Sequence, residues 1–145
     1  MPAYKLPFSV LVVIHTADLQ VLLLERADHP GYWQSVTGSC EHGETPRQTA
    51  IREVCEETGL DAEIHKLTDW NLQYEFEIYA EWRHRYAPGV TKNTEQVFSL
   101  ELPAPQPVTL APREHLNFMW LPRDLAAKKV FSWSNAAAID RLAVS

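Results

Sequence analysis

A mixed β-sheet covered by helices on both faces, α/β in the broad α+β sense, is the fold class that this 145-residue chain predicts. Three observations point to it. Short runs rich in β-branched and aromatic residues recur along the chain, one well-delimited helix interrupts them, and two further helices close it. With 46% hydrophobic residues and no repeat, low-complexity tract or long linker, residues 1–145 read as one domain, large enough for a real core.

Phe8 to His15 is the first strand, Ala17-Asp18 a turn, and Gln20 to Glu25 a second strand completing a hairpin. Gly31 to Ser35 is a short extended piece leading into a glycine-bearing loop. Thr45 is placed to cap the first helix, Pro46 suits its first turn, and Gly59 ends it. Ala62 to Trp70 and Gln73 to Tyr79 read as strands, with Trp82 to Tyr86 continuing an antiparallel meander until Ala87-Pro88-Gly89 turns the chain. Glu95 to Leu102 and His115 to Trp120 are the last strands, separated by the proline-rich Pro103 to Pro107. Helices are expected over Pro122 to Lys128 and Ser134 to Ala143, the second capped near Ser134 or Asn135.

Charge and cysteines bound the function. A net charge of -6 argues against sequence-independent binding to a nucleic-acid backbone, which needs clustered Lys and Arg. Arg83, His84, Arg85 and Lys92 form a local basic group, too small for that role; it reads either as an attractor for an anionic ligand or as a solvated hairpin. The apolar run from Phe8 to Ile14 is too short to span a membrane. Two cysteines without zinc-ligand spacing suit a reducing, cytoplasmic location. Cys55 falls on an apolar helical arc and is expected to be a buried thiol.

The stretch Gly38 to Leu60, GSCEHGETPRQTAIREVCEETGL, is the most informative. Glu53, Glu56 and Glu57 share one arc of the helix, while Ala50, Ile51, Val54, Cys55 and Thr58 form a roughly opposite arc suited to packing on a sheet. Glu56 and Glu57 also lie in the last turn, the negative end of the helix dipole, where a cation is favoured. Acids gathered at that end point to a divalent cation that offsets them; a solvated acidic face is the plain alternative.

In spacing, Gly38, Glu44, Arg52, Glu53, an aliphatic at 54, Glu56, Glu57, Gly59 and an aliphatic at 60 match the Nudix box, and the chain is identified as a member of the Nudix hydrolase family. The resemblance implies an α/β/α sandwich and hydrolysis of a nucleoside-diphosphate-type linkage with Mg²⁺, or Mn²⁺, as cofactor. It implies metal binding by Glu53, Glu57 and Glu56, with the Gly38 carbonyl as a further ligand. Arg52 either orients a box carboxylate or makes a plain helix ion pair, and Glu44 supports the loop. The general base is either a box acid such as Glu53 or Glu56, or an outside acid, for which Glu114 leads and Glu95 and His115 follow.

Other stretches narrow the resemblance to folate-pathway members of the family. They are Tyr4-Lys5, Trp33 to Ser39, Phe76-Glu77-Ile78, Arg83 to Val90, Asn93-Thr94-Glu95, Glu114-His115-Leu116 and Ser132 to Asn135. The implied reaction converts 7,8-dihydroneopterin 3′-triphosphate to the monophosphate and pyrophosphate, with side activity on dATP and other nucleoside and deoxynucleoside triphosphates. The expected partner is thus a small-molecule triphosphate, handled by a monomer or weak homo-oligomer. Lys5 and Arg26 are the phosphate-contact candidates, against a reading as solvated charges. Thr37 is placed to bond substrate, Phe76, Glu77, Ile78 and Tyr79 to wall a ring pocket, and Ser132 to fold back over it. Trp33, Trp120 and Trp133 read as packing residues. A housecleaning hydrolase for nucleoside triphosphates or dinucleoside polyphosphates is the alternative enzyme. A non-catalytic ligand sensor is disfavoured by the intact set of box acids.

Overall fold

The computed structural model describes residues 4–143. Strand β1 (Phe8–Thr16) is its spine, because all of it but Phe8 is buried and the run from Val10 to Ile14 is apolar, as a strand covered on both faces requires. It runs parallel to β6 (Lys92–Leu102), from Phe8 opposite Thr94 to Thr16 opposite Leu102. Its other edge is shared. β2 (Gln20–Arg26) pairs with it near the hairpin, at His15 and Val21, and β4 (Val36–Ser39) takes the other end, with Val10 opposite Gly38. β7 (His115–Pro122) and β3 (Trp33–Gln34) extend β2, and β5 (Lys66–Glu77) extends β6. The sheet therefore has seven strands in the path β3-β2-β1-β6-β5, with β4 and β7 branching from it.

Alternation on these strands makes two cores. Val10, Val12, Ile14, Leu22, Leu24, Phe98 and Leu100 pack under helix α1 (Pro46–Thr58) through Ala50 and Val54. Leu11, Val13, Leu23 and Val97 pack on the other face under α2 (Arg123–Lys129) and α3 (Trp133–Asp140), through Ala126, Ala138 and Ile139. The mixed sheet between helices is the architecture expected from the residues.

Several elements differ from the sequence reading. Ala62–Ile64 is a 3-10 turn rather than strand, capped by the Asp61 carboxylate on the Glu63 N–H at 2.9 Å. The two strands expected over 62–79 are one strand, β5, broken in register between Asp69 and Gln73, where Asn71 takes a φ of 51°. Asparagine tolerates that left-handed backbone, and the Asp69 carboxylate holds its N–H at 2.9 Å. Trp82 to Tyr86 is no strand, since Ala80–Arg85 forms a 3-10 helix with Trp82 stacked on Tyr79 and the Arg83 guanidinium on the Ile78 carbonyl. The glycine-bearing loop is partly strand β4. Cys55 is exposed and Cys40 is the buried thiol, a correction of the expected burial. Ser132, not Ser134 or Asn135, caps α3. Among the described residues no helix is long and apolar enough to cross a membrane.

Candidate functional site

The site is built at the sheet end where β1 meets β4, against α1. The helix starts where the sequence demands: the Thr45 hydroxyl accepts from the Gln48 N–H, and the Gln48 side chain accepts from the Thr45 N–H at 2.9 Å. It ends at Gly59, whose φ of 74° is costly for any residue with a Cβ. With both ends set, the acids of its second half are aimed reproducibly.

Arg52 ties the preceding loop to the helix. Its Nε and Nη2 donate to the two Glu44 oxygens at 2.8 and 2.9 Å, a forked pair. Nη2 also reaches the Ser39 carbonyl at 3.1 Å, while Nη1 donates to Glu53 at 2.6 Å and to Glu56 at 3.3 Å. Arg52 thus contacts a box carboxylate and also makes a helical ion pair, the contact to Glu53 being shorter than that to Glu56. The Arg52 hydrogen bonds, opposed by some desolvation, hold the Glu44 carboxyl down to about 2.

Glu53 lies across Gly38 so closely that a Cβ there would overlap its carboxyl group. Glu57 is buried, with 1% of its surface exposed, and neither carboxylate oxygen has a hydrogen-bond partner among the described residues. Burial, and then the adjacent Glu53, pushes the Glu57 carboxyl well above its ordinary pKa. Burial raises Glu53 as well. His115 Nε2 stands 3.6 Å from Glu57 Oε1. Burial and then the Arg26 charge hold that imidazole down to about 4, so at neutral pH it is uncharged and does not neutralise Glu57. Ligand atoms of Glu57, Glu114 and His115 lie within 4.8 Å of one another. A divalent cation fits this arrangement: the buried Glu57 oxygens lack donors and need positive charge, and the exposed Glu114 carboxylate and a neutral imidazole stand beside them. Nudix proteins use divalent metals, and this group is suited to one.

These acids open onto a cavity of about 630 Å³. All eight residues expected to contact substrate line it: Lys5, Arg26, Thr37, Phe76, Glu77, Ile78, Tyr79 and Ser132, as do Gly38, Glu53, Glu57 and Glu114. Arg52 and Glu56 do not; Glu56 is exposed and turned to Arg52. Arg26 is clamped by Asp28, at 2.7 Å from both Nε and Nη2, and by Gln34 at 3.0 Å, with Trp82 below its plane at 4.5 Å. Part of its donor fork remains free. Lys5 stands at the rim, its pKa lowered by partial desolvation and then by Arg85. The Thr37 hydroxyl donates to the Val10 carbonyl at 2.9 Å, so toward the cavity it can only accept. The Glu77 carboxylate is exposed and faces Arg83 at 3.8 Å.

A family model described as NUDIX domain matches residues 5–142. The chain belongs to the Nudix family. It is 48% identical over 145 residues to the dihydroneopterin triphosphate diphosphatase of Escherichia coli (strain K12), covering 98% of this chain and 95% of that protein. The protein of the same name from Haemophilus influenzae is 44% identical over 144 residues, covering 97% and 90%. The solved structure of the E. coli dihydroneopterin triphosphate pyrophosphohydrolase superposes with a TM-score of 0.91 at 50% identity, over 97% of both chains. With these relatives the enzyme class read from the Nudix box, a hydrolase, holds.

Beyond the predicted residues, Gln34, Trp82, Arg85, Asn93, Phe131 and Trp133 also line the cavity. Trp133 was expected to pack; instead it is 59% exposed at the mouth, edge-on to Tyr74. Trp33 is packed as expected. The basic group divides: Arg85 faces the cavity and pairs with Asp28 at 3.4 Å, while Lys92 lies near Glu75 on the surface. A signal for Asn93 was present, because polar residues at 93 and 95 alternate with more exposed ones on a strand and so share one face.

Proposed function

We propose that this chain removes pyrophosphate from 7,8-dihydroneopterin 3′-triphosphate, with Mg²⁺ or Mn²⁺ as cofactor, and that dATP is a side substrate. The observation that carries the reading is the single cavity joining Glu53 and Glu57 to an aromatic wall of Phe76, Tyr79, Trp82 and Phe131. One end suits a polyphosphate and the other a flat ring. The kinship with dihydroneopterin triphosphate diphosphatases supports the choice of a pterin.

Glu53 and Glu57 would hold the metal, with the Gly38 carbonyl and His115 completing the protein's share. The bound cation would offset charge on the phosphate chain and ease attack at phosphorus. Arg52 positions Glu53 and leaves Glu56 outside the cavity in a supporting role. Lys5, Arg26 and Arg85 counter the chain's negative field and grip the phosphates. Glu114 is our general base, taking the proton of the attacking water, since it is the acid outside the helix that reaches Glu57. Phe76 and Ile78 wall the ring; Glu77 and Tyr79 contribute mainly backbone and a stacked rim; Ser132 closes the far side.

The test is kcat/KM for dihydroneopterin triphosphate beside dATP, dGTP and diadenosine tetraphosphate, scored by pyrophosphate release with Mg²⁺. The pterin is expected to lead by about tenfold or more. A nucleotide preferred by that margin would overturn the substrate and restore the housecleaning reading.

A further inference from the structure

We propose that Glu95 and Asn93 read the amino–amide edge of the substrate's ring, the edge that a 2-amino-4-oxopyrimidine presents in a pterin or a guanine. The inference rests on the reading of the cavity as a heterocyclic triphosphate site and names the residues that choose the heterocycle.

Asn93 and Glu95 sit two residues apart on β6 and so project from one face. Both line the cavity. Asn93 is 3% exposed; its Nδ2 donates to Ser9 Oγ at 2.7 Å, and its Oδ1 is buried with no donor among the described residues. Glu95 is 5% exposed, and the Ser134 hydroxyl donates to its Oε1 at 3.0 Å. Ser134 is in turn 2.9 Å from Ser132, the cap of α3, so the carboxyl group is fixed by the start of that helix. No second donor from the described residues reaches it.

A buried amide oxygen with no partner and a buried carboxyl with one are costly unless something else supplies donors. Burial accordingly pushes the Glu95 carboxyl up to about 7, which shows how little the protein does for its anion. The missing partner has a definite chemistry. Two carboxylate oxygens and an amide oxygen are three acceptors; a ring N–H beside an exocyclic amino group offers three hydrogens in one plane. Phe76, Ile78 and Trp133 on the same cavity would hold such a plane in place. A ring with a carbonyl or a bare C–H where the amino group stands would leave the acceptors facing each other unpaired, so the site discriminates by an unsatisfied group rather than by size.

dGTP and dITP differ only in that amino group. Their apparent Ki values are to be measured as competitors against whichever triphosphate the enzyme turns over fastest, for wild type, Glu95→Gln and Asn93→Ala. In wild type dGTP is expected to bind about tenfold more tightly than dITP. Glu95→Gln, which turns one acceptor into a donor, should bring the ratio near one by weakening dGTP; Asn93→Ala should narrow it. Loss of packing alone would weaken both competitors together and leave the ratio standing. Equal binding in wild type, or an unchanged ratio in both variants, would overturn the inference; if one variant does not fold, the wild-type ratio and the other variant still decide. An enzyme that prefers dATP as substrate yet keeps the dGTP-to-dITP ratio would defeat the pterin assignment alone. One that prefers the pterin without that ratio would defeat only this proposal.

Discussion

Glu57 shows how a single residue carries the conflict between folding and function. Its carboxylate is buried beside Glu53 without a donor, so its folded pKa lies above the ordinary 4.5. The stability it leaves to the protein is full below that value and is lost as pH rises through the folded pKa. In metal-free buffer at pH 8, Glu57→Gln should therefore melt above wild type, with little difference near pH 4, while turnover with Mg²⁺ is abolished. Thermal melts across that range check it, and a variant less stable than wild type at pH 8 speaks against the buried-charge account. Glu44 has the opposite sign. Its pKa is depressed to about 2 by Arg52, so its contribution is present above 4.5 and fades as pH falls toward 2. Glu44→Gln should cost about 1–3 kcal/mol near neutrality, measured by urea unfolding, and progressively less below pH 4. The box acids were legible because helical spacing is a local rule. Their unequal fates were not: Glu57 buried, Glu53 laid over Gly38 and Glu56 exposed depend on which sheet lies against the helix.

At the scale of elements, α1 is the part most nearly self-specifying. A capping box, a proline in the first turn and a terminal glycine all agree. Gly59→Ala forces a Cβ into left-handed backbone and against Thr109 at 3.2 Å, and should cost about 1–2 kcal/mol in urea unfolding. Gly38→Ala acts elsewhere: its Cβ displaces the Glu53 carboxyl, so metal-dependent turnover should fall by more than stability does. Steady-state rates at varied Mg²⁺ beside denaturation curves separate the two effects. Trp82 to Tyr86 reads in the sequence as a continuation of the meander, whereas the Arg83 bond to the Ile78 carbonyl and the Tyr79–Trp82 stack coil the chain into the cavity wall. Contacts formed across a turn compete with strand propensity and carry no periodic signal.

For the whole molecule the governing facts are a net charge of -6 and a cavity that must take an anion. Cations at its rim come from the start of the chain, from β2 and from the turn after β5, and a bound metal adds to them. A ligand that binds only the folded state raises its stability by mass action. Mg²⁺ at millimolar concentration should thus raise the wild-type Tm and leave the Tm of a Glu53→Gln/Glu57→Gln double variant nearly unchanged. Equal shifts in the two proteins would place the metal elsewhere.

Most strand runs, the caps of α1 and the spacing of the box acids follow from interactions a few residues apart, and these are legible along the chain together with the layered sheet and helices they imply. Parallel pairing of β1 with β6, by contrast, brings Ser9 beside Asn93 and Glu95, and the return of α3 delivers Ser132 and Ser134 to the same wall. Those partners are separated by dozens of residues, and the register of a sheet is set by the packing of both its faces at once. The box acids of the phosphate end are thus written in one short segment, whereas Glu114, His115, the cations of that end and the shape and hydrogen bonding of the ring end come together only after the strands have assembled.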